Sequence, residues 1–140
     1  MLAHKIKSNA MIDHLDHLVL TTAKEAECID FYTRVLGMQL ESFIGGSPPV
    51  ERKAFKFGNQ KVNLHIKGKE FEPKANIPTP GAIDLCFIAD RPLAEVILKL
   101  EKEAWPIIEG PVIRTGATTK INSIYVRDPD QNLIEISELI

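Results

Sequence analysis

Four side chains have both the chemistry and the placement to hold a metal ion: His17, His65, Asp84 and Glu135. Imidazole nitrogen and carboxylate oxygen are borderline ligands that accept zinc, nickel, iron, manganese or cobalt. Two imidazoles and two carboxylates around a 2+ ion form a nearly neutral cluster. Without the ion, two carboxylates buried together would either carry a desolvation cost or take up protons. His17 and His65 lie 48 residues apart, Asp84 and Glu135 51 residues apart. The similar spacing suggests one pair laid down twice.

Those residues must be carried by strands, and the order of elements supplies them. Residues 16–22 are short, apolar and β-branched, which predicts a strand. Thr22 to Glu25 has the form of a capping box. Apolar residues at Cys28, Ile29, Tyr32, Val35 and Leu36 then recur at helical spacing, and Gly37 sits where a helix C-cap glycine belongs. Strands follow at 38–43, 52–57 and 61–67, the last two joined by a Gly58-Asn59 turn. A segment rich in proline and charge, 68–81, reads as a linker. After it the order repeats: a strand at 83–89, a helix opened by Asp90-Arg91-Pro92, a strand at 107–112, a loop at 114–118, and strands at 121–126 and 133–138 joined at Asp128-Pro129-Asp130. The predicted fold class is α+β. Two paired βαβββ modules (13–67 and 82–140) form a curved, cup-shaped, eight-stranded mixed sheet with the helices on its outer faces. Neither half could close a core alone. Residues 1–12 read as a flexible extension.

Strand parity assigns the faces. Leu18 and Leu20, Val62 and Leu64, Ile83 and Leu85, and Ile134 and Ile136 face the helices. His17, Asn63, His65, Asp84, Cys86 and Glu135 then face the cup. Under the repeat, His17 is matched with Asp84 and His65 with Glu135.

The bulk properties exclude other classes. The 140 residues carry a net charge of −2, with no strongly basic balance of the kind nucleic acid selects. No run approaches the roughly 20 apolar residues of a membrane span. The two cysteines, Cys28 and Cys86, read as reduced packing residues of a cytoplasmic protein.

With these features the chain resembles the vicinal oxygen chelate superfamily, which includes glyoxalase I, extradiol dioxygenases and bleomycin-binding proteins. The resemblance covers residues 13–140. It is carried by Asp16-His-Leu-Val-Leu20, Phe31-Tyr-x-x-Val-Leu-Gly-Met38 and Arg127-Asp-Pro-Asp-x-Asn-Leu-Ile-Glu135. Lys61-Val-Asn-Leu-His65 and Glu109-Gly-Pro-Val-x-Arg-Thr-Gly-Ala117 point toward its glyoxalase-domain-containing members. The resemblance implies a divalent metal held by His17, His65 and Glu135. Asp84 stands where most metal-binding members carry histidine. It is a weak ligand, a partner to an imidazole, or a base.

The resemblance also implies a glyoxalase-like lyase or isomerase that stabilises an enediolate by Lewis acidity. Glu135 would serve as ligand and proton shuttle, with Asp84 as the second candidate base. Asn63, Arg114 and Tyr125 are candidate substrate contacts, with Lys53 a further cation. An extradiol-type dioxygenase and a non-catalytic binding or resistance protein are the alternatives. The expected partners are a small-molecule substrate and a second copy of the chain in a homodimer, with no nucleic acid and no membrane.

Overall fold

The computed structural model describes residues 9–140. The expected extension lies mostly outside the described residues. Its described part is exposed and has no regular structure, and Met11 is 94% exposed. No helix among the described residues is long and apolar enough to cross a membrane.

The first half contains β1 (His17–Thr22), α1 (Glu25–Asp30), a π-helical turn (Phe31–Val35), β2 (Gln39–Gly45), β3 (Val50–Phe57) and β4 (Gln60–Ile66). The second contains β5 (Asp84–Ile88), α2 (Leu93–Lys102), β6 (Glu109–Thr115), β7 (Lys120–Arg127) and β8 (Leu133–Leu139). The strands make two four-stranded sheets, ordered β1-β4-β3-β2 and β5-β8-β7-β6. In each, the first strand runs parallel to the last and the others pair antiparallel. The repeated βαβββ pattern therefore holds in three dimensions. The eight strands form two four-stranded sheets, one to each module. β1 and β5 approach across a small cavity of about 70 Å³ lined by His17, Leu18, Leu85, Cys86 and Phe87.

The helix-facing side forms one apolar core. It draws Leu20, Phe31, Tyr32, Phe55, Val62 and Leu64 from the first half, and Leu93, Leu100, Ile124, Val126, Ile134 and Ile136 from the second. Phe31 meets Trp105 with ring centroids 4.7 Å apart, and Phe57 meets Phe87 at 5.2 Å. A polar clasp reinforces the junction. The Tyr32 hydroxyl donates to buried Asp128 at 2.6 Å. Asp128 also accepts the backbone N–H groups of Asp130 and Asn132 and the Asn132 side-chain amide. Burial, then the Asp128 carboxylate, pushes the Tyr32 phenol far above its usual ionisation range, so it stays a donor.

Three local expectations change. The capping box does not form: Lys24 is the N-cap and makes no side-chain cap bond. Thr22 remains in β1, where its hydroxyl accepts the Lys24 N–H and donates to Asp130 across the halves. β6 begins and ends later than the apolar run suggests, so Arg114 lies in a strand rather than a loop. α2 takes Pro92 as its N-cap, and its free Leu93 N–H is satisfied by Glu138 of β8 at 2.9 Å. Gly37 does end the first helical segment, at φ +77°.

Candidate metal and substrate site

The sheet registers decide which side chains are neighbours. On the first sheet, His17 lies opposite Lys61, Val19 opposite Asn63 and Thr21 opposite His65. All six share the face turned away from the helices. His17 and His65 are offset by four residues along parallel strands, about 13 Å at 3.3 Å per residue. On the second sheet, Asp84 lies opposite Leu133 and Cys86 opposite Glu135. Glu135 is thus two residues past the partner of Asp84, and Asn63 is two past the partner of His17. The repeat-equivalent residue of Glu135 is therefore Asn63, not His65, whose equivalent is Ser137. Counting residues along the chain misses this because the loops of the two halves differ in length.

His17 is partly exposed, and its Nδ1 lies 2.8 Å from Asp16 Oδ2. A carboxylate on one imidazole nitrogen fixes the ring and leaves the other nitrogen for a ligand. Asn63 Oδ1 is buried and has no hydrogen-bond partner. Glu135 Oε2 accepts the Ser123 hydroxyl at 2.6 Å and the Ser137 hydroxyl at 3.4 Å. Asp84 is exposed at the start of β5. These donors, an imidazole, an amide oxygen and two carboxylates, suit a divalent cation. Among the described residues, however, no three His, Cys, Asp or Glu side chains converge to hold one within a single chain.

His65 has a different setting. It is only 7% exposed and its ring stands edge to face against Phe71 of the linker, centroids 5.5 Å apart. The Arg52 guanidinium lies over the same Phe71 ring at 4.4 Å. Burial, and then the Arg52 charge, hold the His65 imidazole below its ordinary pKa.

Arg114 and Tyr125 are brought together. Arg114 donates Nε–H to the Tyr125 hydroxyl at 3.0 Å and Nη2–H to Glu109 at 2.6 Å. Tyr125 lies opposite Glu135, so it shares that face. Lys53 does not: it lies on the helix side and pairs with Glu25 at 2.9 Å. The two cysteines also separate in role. Cys28 is buried in the core, and burial pushes its thiol up to about 12. Cys86 is exposed on the cup face, 3.3 Å from the Ser137 hydroxyl, and does not pack in the core.

Reading from sequence missed Arg52 and Phe71, and gave no role to Ser123 and Ser137. Parity along β3 from Ala54, the partner of Asn63, puts Arg52 on the cup face. The two serines share the face of Glu135 by the same rule. Phe71 had no signal, because it lies in a segment without a period.

Comparison with known proteins agrees with this architecture. A family profile described as Glyoxalase/Bleomycin resistance protein/Dioxygenase superfamily matches residues 14–136. The chain is 49% identical over 137 residues to virulence protein STM3117 of Salmonella typhimurium, covering 98% of this chain and 92% of that one. The crystal structure of that protein superposes with a TM-score of 0.86 at 50% identity, over 94% of this chain and 100% of that one. Glyoxalase domain-containing protein RDO1 of Mycosarcoma maydis is 54% identical over 123 residues, which is 88% of this chain but 66% of that longer protein. A lactoylglutathione lyase from Agrobacterium tumefaciens shares the fold at a TM-score of 0.68 and 22% identity, over 91% of this chain and 94% of that one. The chain belongs to the Glyoxalase/Bleomycin resistance protein/Dioxygenase superfamily.

Proposed function

We propose that this protein is a metal-assisted lyase or isomerase of the glyoxalase type, acting on a small molecule with two neighbouring oxygen atoms. The observation that carries the reading is Glu135. Its Oε2 is fixed by two buried serines, while no hydrogen bond among the described residues reaches Oε1. A carboxylate held by one oxygen and open at the other can hold a cation, or take a proton from carbon and return it to a neighbouring oxygen. The orphaned Asn63 oxygen at the repeat-equivalent position has the same need for a positive partner.

In this reading His17, Asn63 and Glu135 hold the ion, with Asp84 as the fourth group or a second base. A divalent ion of zinc, nickel, iron, manganese or cobalt bound there would supply Lewis acidity toward a substrate oxygen. Tyr125 and Arg114 border the substrate beside Glu135. His65, offset along β4 and next to a guanidinium, belongs to the substrate side. The unpaired Cys28 and Cys86 suit a reducing, cytoplasmic setting.

A second copy completes the site. The first sheet's cup face carries Arg52, Lys56 and Lys61 with Glu41, and the second's carries Asp84, Glu109 and Glu135 with Arg114 and Arg127, so a small excess of opposite sign on each favours their pairing between copies. The test is metal content and hemithioacetal turnover of purified wild type, His17→Ala and Glu135→Ala. Each variant should lose its metal and its activity. Refolded together at equal ratio, the two variants should recover about a quarter of the wild-type sites, since half the dimers are mixed and each rebuilds one intact site of two. Retained metal in both single variants would defeat the assignment. No recovery on mixing would defeat the shared site.

A further inference from the structure

We propose that Cys86, Ser137 and Ser123 form a one-way chain of hydrogen-bond donors that ends on Glu135 Oε2 and keeps Oε1 turned to the cup. The three are positioning residues: none touches the ion or the substrate. The inference deepens the preceding reading, and rests on it in taking Glu135 as the group that meets them.

The direction of the chain follows from counting protons. Ser123 and Ser137 are fully buried, so each hydroxyl must find its partners inside the protein. Ser123 has one proton. It goes to Glu135 Oε2 at 2.6 Å, the short distance of a hydroxyl on a carboxylate. The Ser123 and Ser137 oxygens are also 2.6 Å apart, which needs a proton between them. Ser123 has none left, so Ser137 gives its own. Ser137 stands 3.4 Å from Oε2 as well, but that is past the usual reach of about 3.0 Å, so Ser123 Oγ is its main acceptor. The Ser137 oxygen is then free to accept the Cys86 S–H, with sulfur 3.3 Å away. The alternative acceptor for that thiol is the Phe87 carbonyl, farther off at 3.9 Å.

Sheet register brings the four together. Cys86 lies opposite Glu135 across β5 and β8, and Ser123 lies opposite Ser137 across β7 and β8. Ser137 is two residues past Glu135, so all four share the cup face. The repeated fold does not require them. In the first half the positions equivalent to Cys86, Glu135 and Ser137 hold Val19, Asn63 and His65, and the Asn63 oxygen is left without a partner. The buried hydroxyls therefore answer to the carboxylate of Glu135, not to the architecture.

The consequence for Glu135 is orientation. The last torsion of a glutamate is broad and two-fold, so a free carboxylate presents either oxygen. The chain makes the two oxygens different: Oε2 is occupied, and Oε1 is the one offered. Cys86 is the outer end of the chain, on the wall of the small cavity that it shares with His17.

The experiment uses the full chain. Infrared absorption of the metal-free protein reads the Cys86 S–H stretch, assigned by its loss in Cys86→Ala. A donated S–H vibrates at lower frequency than a free one, so Ser137→Ala should raise the Cys86 band and leave that of Cys28 in place. Cobalt(II) is then titrated against a competing chelator. Ser123→Ala and Ser137→Ala should each weaken cobalt about tenfold, as expected when a partner behind a metal ligand is lost. Cys86→Ala should weaken it about threefold, the low end for one neutral hydrogen bond, and Cys86→Ser, which keeps a donor, should restore wild-type affinity. Once Ser137 is alanine, Cys86→Ala should add nothing, because Cys86 acts only through Ser137. A merely structural Cys86 predicts neither the rescue by serine nor the silent double variant. Cys86 is exposed, so its two variants keep the test if Ser137→Ala does not fold. An unmoved S–H band, equal loss in Cys86→Ala and Cys86→Ser, or additive effects of the two alanines would overturn the proposal. If the wild type takes up no cobalt, the preceding reading fails, and the infrared band alone decides the chain.

Discussion

Arg52 and His65 are coupled through the ring of Phe71, and the coupling has a measurable sign. Both burial and the guanidinium favour the neutral imidazole. Replacing Arg52 by Gln removes the second influence, so the His65 pKa should rise while staying below its unperturbed value near 6.5, as followed by proton NMR of the ring. The same depression ties stability to pH. Above about pH 6.5 both folded and unfolded chains hold a neutral His65, and its contribution is complete. Below that, the unfolded chain takes the proton first, and stability falls with pH. His65→Gln should flatten the decline of the urea midpoint between about pH 7 and pH 5. Parity was enough to put His65 and Asn63 on the cup face. It could not say which of them stands beside His17, because that depends on the stagger of β1 against β4, and stagger is set by loops and packing.

At the scale of elements, the helix ends show where local pattern gives way to tertiary demand. Thr22 and Glu25 have the capping-box spacing, but the Thr22 hydroxyl is drawn to Asp130 in the other half. Lys24 is left as an N-cap without a side-chain acceptor. Lys24→Ser should raise stability by about 0.5–1 kcal/mol, read from chemical denaturation, by restoring that acceptor. Strands β1, β4, β7 and β8 were legible because they alternate or run apolar between clear turns. The start of β6 was not, because a bulge between Glu109 and Val112 shifts its pairing with β7. The π-helical turn was equally hidden. It follows from where Phe31 and Tyr32 must reach rather than from any propensity in residues 31–35.

At the scale of the whole molecule, Asp128 is the hub of the join between halves. Tyr32→Phe removes one of its four hydrogen bonds and should cost about 1 kcal/mol. Asp128→Ala strands all four donors in a buried site and should cost about 3 kcal/mol or more, measured by thermal and urea unfolding. The duplicated order of elements was readable from the sequence, because both halves follow the same succession of periods and turns. The division of the strands into two four-stranded sheets follows from the same repeat, one sheet to each module.

The π-helical turn has one further consequence. Two neighbours within it, Phe31 and Tyr32, point into two places. Phe31 packs on Trp105 of the second half, while Tyr32 stacks on Phe55 of the first and reaches Asp128 of the second. The first half therefore lacks part of its own interior until the second is folded against it. The chain is duplicated in pattern yet indivisible in thermodynamics: its halves should melt together in a single cooperative transition, because neither owns a complete core.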